Sequence, residues 1–399
     1  MHNSTEPLWS GARLRPCRKL QRRTRRGALL SVVAGVIGVA LSACSTTPLV
    51  PYTTDTPPLV LVPAVDAGVR DERGRFREIF CQILEARKST LPDYRPCGEA
   101  LTRVGAEPSG TREEVDLGPS KRRLIAVVVP GVGWDCFANW LELQGSVAAH
   151  VRQFGYDQIT LTVDSLSGTA NNARQIRDAI MQMKLTGTEP RLVLFGYSKG
   201  TPDILQAVVS YPEIRKRVAA VVSVAGAVGG SPLANDASES QLALLTHWPG
   251  AKCSRGDGRA IESLRPATRM AWLAQNPLPH DFPYYSLVTY PKPERISSVL
   301  RASYNKLSRV DARNDSQMIF YDQVIPGSTL IGYVNADHWA LAVPISRSHP
   351  FLGSTLVDHN HYPREALVEA ILRFVEWDEK SPIARRAVES GDHRPPGGR

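Results

Sequence analysis

Leu192-Val193-Leu194-Phe195-Gly196-Tyr197-Ser198-Lys199-Gly200-Thr201-Pro202-Asp203-Ile204 is the stretch that decides the architecture. Residues 191–195 form a short apolar run of the kind a fully buried strand carries. Pro202 follows within a few residues, and proline is well tolerated in the first turn of a helix, so residues 202–210 read as a helix. Between strand and helix stands Gly196-x-Ser198-x-Gly200. A serine held at the end of a buried strand needs a very tight turn into the next helix. Glycines on either side let strand, turn and helix approach closely. The helix start then offers free N–H groups and a positive dipole end to a developing oxyanion.

The same rhythm continues outward. Residues 124–129 are a continuous apolar run closed by Pro130-Gly131, and residues 139–154 have helical spacing. Residues 158–163 are strand-like, 171–183 helical, and 218–224 apolar again. Strand-like runs recur at 284–290, 317–321 and 329–334, and a last helix is predicted over 363–377. Strands alternating with helices predict a mostly parallel sheet covered on both faces. Residues 231–280 break the alternation. They are polar, then carry a helical stretch over 260–276, and read as a lid insertion over a pocket. Residues 291–316 read as irregular.

A serine at its ordinary pKa is a weak nucleophile and needs a base. Of the eight histidines after His2, His338 lies where the base belongs, just after the last strand-like run and before the final helix. His150 and His247 fall in helical or lid segments. His349, His359 and His361 fall in a loop, and nothing nearby completes a metal site around the His359-x-His361 pair. The acid that orients His338 through its other ring nitrogen has more than one candidate. Asp322 is preferred because it ends the strand-like run 317–321, Asp315 is the alternative, and Asp311 is third. Asp337, next to the histidine, is expected to point elsewhere. The oxyanion donors are expected to be the backbone N–H groups of Lys199 and of Val132, the latter in the loop Pro130-Gly131-Val132-Gly133-Trp134. The Lys199 side chain is expected to reach solvent.

This arrangement resembles the α/β-hydrolase superfamily over roughly residues 120–378. Around Asp322 the pattern Asp-x-x-Ile-Pro-Gly-Ser328-x-Leu330-x-Gly332, with Tyr284-Tyr285-Ser286 on the preceding strand, resembles bacterial triacylglycerol lipases. Two departures stand out. Pro130 replaces the usual histidine of the oxyanion loop, and the Asn-Asp-Gly acid motif is split between Asn314-Asp315 and Asp322. The resemblance implies hydrolysis of acyl esters, in lipase or carboxylesterase manner, through an acyl-enzyme and with no metal or organic cofactor. The same residues would serve an envelope acyltransferase or thioesterase, and a non-catalytic binding lipoprotein on the same scaffold is the third reading.

The chain has 399 residues, 42% hydrophobic and 22% charged, enough for one large globular domain. Its net charge is +9, but eight basic residues and one acidic residue lie in residues 1–43, leaving only +2 on the remainder. A nucleic-acid partner is therefore not expected. Arg22, Arg23, Arg25 and Arg26 precede an apolar run over 28–40, which is too short for a comfortable membrane span. With Leu41-Ser42-Ala43-Cys44 at its end, the segment 1–43 reads as a secretory signal and resembles that of bacterial lipoproteins. That resemblance implies cleavage before Cys44, lipidation of its thiol, and a cell-envelope location, with Ser45 favouring the outer membrane in a Gram-negative source. Residues 44–65, rich in proline and threonine, read as a tether. Residues 66–380 read as the α/β-hydrolase domain, with a helical preface over 75–104, and 381–399 as a polar tail expected to be disordered. Cys81, Cys97, Cys136 and Cys253 remain for two disulfides in an exported chain, with three possible pairings. Cys81 with Cys97 and Cys136 with Cys253 is preferred.

Overall fold

The computed structural model describes residues 68–138, 146–185, 187, 191–247, 251, 253 and 255–380. The leader, Cys44, the tether up to residue 65 and the 381–399 tail lie outside them, as does the 139–145 part of the helix expected over 139–154.

Seven strands form one sheet: β1 (Arg70–Asp71), β2 (Ile125–Val129), β3 (Asp157–Thr160), β4 (Leu192–Tyr197), β5 (Val218–Val224), β6 (Tyr284–Thr289) and β7 (Thr329–Val334). Their spatial order is β1-β7-β6-β5-β4-β2-β3 and every pairing is parallel. In register, Val128 of β2 faces Phe195 of β4, which faces Val222 of β5. Side chains alternate across a strand, so the sheet has two apolar faces to cover. Val193 and Phe195 pack in one cluster with Phe76, Ile79 and Phe80 of the helix Arg73–Arg87 and with Ala370, Ile371 and Phe374 of the C-terminal helix Arg364–Lys380. Leu192 and Leu194 pack on the other side with Ile176 and Ile180 of the helix Thr169–Gln182 and with Ile204, Leu205 and Val208 of the helix Gly200–Ser210. The predicted architecture, an α/β-hydrolase fold with a mostly parallel sheet and helices on both faces, is the one observed.

Three local readings differ. Residues 317–321 form no strand. Asn314 and Ile319 make one isolated antiparallel bridge, and Phe320–Gln323 is a 3-10 turn. The stretch 291–316 contains the helix Arg301–Leu307, which buries Ser303, Tyr304 and Leu307. The two-residue strand β1 adds itself beyond β7, its Arg70 N–H donating to the Ser328 carbonyl.

The insertion 231–280 folds into short turns and two helices, Glu239–Ala243 and Pro266–Gln275. Ser238 and Gln241 cap the first of these reciprocally. Ala234, Ile261 and Leu264 of the insertion form an apolar cluster with Ala227 and Met318, and Val132, Ala237 and Leu242 pack against it. Both preferred disulfides are present. Cys81–Cys97 ties the helix Arg73–Arg87 to the turn Cys97–Ala100, and Cys136–Cys253 ties the insertion to the turn Trp134–Phe137.

Candidate active site

Ser198 sits directly after β4 with φ of 55°, in the left-handed region that a non-glycine residue enters only at a cost. Its N–H donates to the Val224 carbonyl at 3.2 Å, and its own carbonyl accepts from the N–H of Ala227 at 3.0 Å. These bonds to the segment around the end of β5 hold the strained residue in place. The flanking glycines are required by space. A Cβ on Gly200 would stand 1.9 Å from the Val129 carbonyl oxygen, and one on Gly196 would stand 2.4 Å from Thr201 Cα. No side chain fits at either position without moving backbone.

Ser198 Oγ lies 2.9 Å from His338 Nε2, and His338 Nδ1 lies 2.8 Å from Asp315 Oδ2. All three are buried. An ionised carboxylate only accepts, so Nδ1 carries the proton and Nε2 is left as the acceptor for the serine hydroxyl. Asp315 is itself fixed from four directions. Its Oδ1 accepts from the N–H groups of Gln317 and Met318 at 2.9 and 2.7 Å, and its Oδ2 accepts from the Thr289 hydroxyl as well as from His338. The His338 N–H donates to the Asp315 carbonyl at 3.0 Å, a second link between the same two residues. Thr289, at the end of β6, carries no local motif that would single it out in the sequence.

The structure brings Asp315, the alternative, and not the preferred Asp322, to His338. Because the chain reverses between Asn314 and Ile319, Asp315 is the residue turned toward the histidine. Asp322 lies one turn farther on, where its carbonyl accepts from the Gly229 N–H at 2.8 Å, and its side chain packs so closely on Gly229 that a Cβ there would meet Oδ1 at 2.6 Å. Asp311 pairs with Arg313 at 2.6 Å. Asp337 points elsewhere, as expected. It caps the short helix His338–Ala342 through the Ala340 N–H at 2.9 Å and accepts from both the N–H and the hydroxyl of Ser297.

A scan against protein-family models finds no match, and a search of curated proteins finds none either. Solved structures do match. A metagenomic carboxyl esterase is 40% identical, with 81% of this chain and 97% of that one covered, and superposes with a TM-score of 0.75. The chain belongs to the α/β-hydrolase family. Two more distant structures are a Bacillus licheniformis lipase in its mature form and the EstA protein of Clostridium botulinum. The lipase is 19% identical over 61% of this chain and 95% of that one, with a TM-score of 0.45. EstA is 12% identical over 75% and 97%, with a TM-score of 0.47.

In this α/β-hydrolase the loop from Pro130 to Trp134 passes directly beside Ser198. A Cβ on Gly131 would stand 2.9 Å from Ser198 Cβ and 3.3 Å from its Oγ, so only glycine lets the loop come this near. Val132 follows it and packs on the insertion's apolar cluster. Lys199 departs from expectation. Its side chain is buried rather than solvated, with Nζ 2.9 and 2.8 Å from the two carboxylate oxygens of Asp203, one helical turn on. Asn172 Nδ2 donates to the same carboxylate at 2.8 Å. Burial raises the Asp203 carboxyl above its usual range, and Lys199 works against that shift. The helix start closes over Lys199, and its i,i+4 partner lies inside rather than outside.

Among the described residues, one set of three metal-ligand types comes close together, Asp135, Cys136 and Cys253. The two sulfurs are already joined to each other, which removes them as ligands. His359 and His361 do not converge. His361 Nδ1 lies 2.9 Å from Asp93 Oδ1, and His359 lies 3.8 Å from Asp358.

Proposed function

We propose that this hydrolase cleaves carboxylic esters, in carboxylesterase or lipase manner, with Ser198 as nucleophile, His338 as base and Asp315 as the acid that orients it. The observation that carries the reading is the continuous chain from Ser198 Oγ through both ring nitrogens of His338 to Asp315. The esterase with which the chain shares 40% identity supports the ester class. In the first half-reaction Ser198 Oγ attacks the acyl carbonyl while His338 Nε2 takes its proton. The oxyanion is received by the N–H groups of Val132 and Lys199, and the imidazolium returns the proton to the leaving alcohol. Water, deprotonated by His338, then releases the acid from the acyl-enzyme.

Fluorophosphonate labelling of the purified protein, with the labelled peptide mapped by mass spectrometry, tests the reading. The label is expected on Ser198. The labelled protein is expected to lose turnover of p-nitrophenyl esters, a series of which gives the preferred chain length. Folded protein that takes up no label would sink the proposal. The insertion packed against Val132 keeps acyl transfer as a second reading, since a covered site can favour another acceptor over water. An added alcohol that diverts most of the acyl group from free acid to ester would favour transfer over hydrolysis.

We further propose that the chain is exported and held in the bacterial envelope by a lipid on Cys44, on the strength of the basic leader, its short apolar run and Leu41-Ser42-Ala43-Cys44. Among the described residues no helix is long and apolar enough to cross a membrane. Two or more acyl chains would make such an anchor stable where one is marginal. Replacing Cys44 by Ser is expected to move the protein from the membrane fraction to the soluble fraction. Unchanged sedimentation with membranes would argue against the anchor.

A further inference from the structure

His338 stands at the start of a helix only five residues long, His338–Ala342, reached through a loop. A helix this short is marginal by itself and is held by contacts from outside it. Three of the base's hydrogen bonds go to groups outside the sheet or to the reacting atom. Its N–H and Nδ1 go to Asp315, and Nε2 meets Ser198 Oγ. The fourth is different. Tyr197, the last residue of β4, donates its hydroxyl to the His338 carbonyl at 2.7 Å. Its ring also lies against the imidazole, with centroids 5.1 Å apart and planes tilted by 33°.

Tyr197 immediately precedes Ser198 in the chain. It is held in the middle of the sheet, with Tyr197 in register with Val224 of β5, and it packs in the main apolar cluster. The hydroxyl bond therefore joins the backbone of the base to the strand that carries the nucleophile. We infer that Tyr197 is a positioning residue, tethering the His338 backbone to β4 so that Nε2 and Ser198 Oγ stay in register through both half-reactions. This rests on the reading of Ser198, His338 and Asp315 as the reacting set. Burial pushes the phenol well above its ordinary range, so it remains a donor throughout the working pH range. A buried phenol must find some acceptor in any case. A tether predicts more than that: loss of the hydroxyl must slow the chemistry without weakening substrate binding.

Tyr197→Phe removes only the hydroxyl, and Tyr197→Leu also removes the ring from the imidazole. Each is measured for kcat, KM, rate of fluorophosphonate labelling, final labelled fraction and melting temperature. For Tyr197→Phe, kcat is expected to fall about tenfold, between the effect of one lost hydrogen bond and that of a 1 Å misplacement. KM is expected to stay within about twofold, and labelling to slow in parallel with kcat while still reaching completion. Tyr197→Leu is expected to fall further along the same line. Tyr197→Phe with kcat within about twofold of wild type would overturn the tether. So would a loss of kcat matched by an equal loss of final labelled fraction, which marks a folding defect. Wild-type protein that neither turns over esters nor takes up label would instead remove the underlying triad. Active wild type beside an unaffected Tyr197→Phe removes the tether alone.

Discussion

Replacing Asp315 by Asn is expected to lower kcat by about 10⁴, while replacing Asp322 by Asn changes it by no more than about threefold. The reason lies in what Asp315 accepts. Its two oxygens accept from four groups: the N–H groups of Gln317 and Met318, the Thr289 hydroxyl and His338 Nδ1. An asparagine must place its NH₂ group against either the backbone pair or the histidine. With NH₂ toward His338, the ring accepts at Nδ1 and keeps its proton on Nε2, aimed at Ser198, where it cannot act as a base. With NH₂ toward the backbone, two N–H groups lose their acceptor and the Asn314–Ile319 reversal that holds residue 315 is disturbed. Asp322 has no such position. Its side chain packs on Gly229, while the two ring nitrogens of His338 meet Asp315 and Ser198. Both variants are compared by kcat per labelled site, which separates chemistry from folding. The reverse ranking would return the acid to Asp322.

Ser198→Ala and Ser198→Gly are both expected to reduce kcat by roughly 10⁶, leaving whatever the oxyanion donors and binding supply alone. The two should differ in stability. Ser198 holds φ of 55°, where a Cβ is strained and glycine is not. Alanine keeps that strain and is expected to melt within a degree or two of wild type. Glycine relieves it, at the cost of a looser unfolded chain, and is expected to be more stable than alanine by up to about 1 kcal/mol. Calorimetry on the three proteins checks this. Glycine less stable than alanine would show that the segment around the end of β5, through Val224 and Ala227, supports this conformation more than the local strain opposes it.

The sheet was legible in the sequence for a physical reason. In a parallel sheet covered on both sides the inner strands are buried on both faces, so β2, β4, β5 and β7 appear as largely apolar runs rather than as alternating ones. Ser198 and His338 were legible because each stands at a fixed place relative to those runs. The acid was not. Met318-Ile319-Phe320-Tyr321 is as apolar as a strand, yet Asp315 folds it back by accepting the N–H of Gln317 and Met318. Polar turns of this kind are set by one side chain and leave no periodic trace. The helix Arg301–Leu307 was missed because its buried face is Ser303, Tyr304 and Leu307, half polar and two turns long. Lys199 was misread because a lysine at a helix start is normally solvated. Only Asp203 one turn later, itself fully buried, draws it inward.

The Cys136–Cys253 disulfide spans 117 residues, and closing a loop of that size removes roughly 5 kcal/mol of chain entropy from the unfolded state. Between its two cysteines lie β3, β4, Ser198 and β5. A chain that emerges from its N-terminus therefore presents Cys81, Cys97 and Cys136 long before Cys253 exists to receive the third. Three thiols with one absent partner invite a wrong bond. Cys81 and Cys97 are only 16 residues apart, and they meet within a helix and its following turn. Their early closure takes both competitors out of circulation and keeps Cys136 waiting for its proper mate. Once the short loop has closed, Cys253 is the one partner left to Cys136 among these four cysteines.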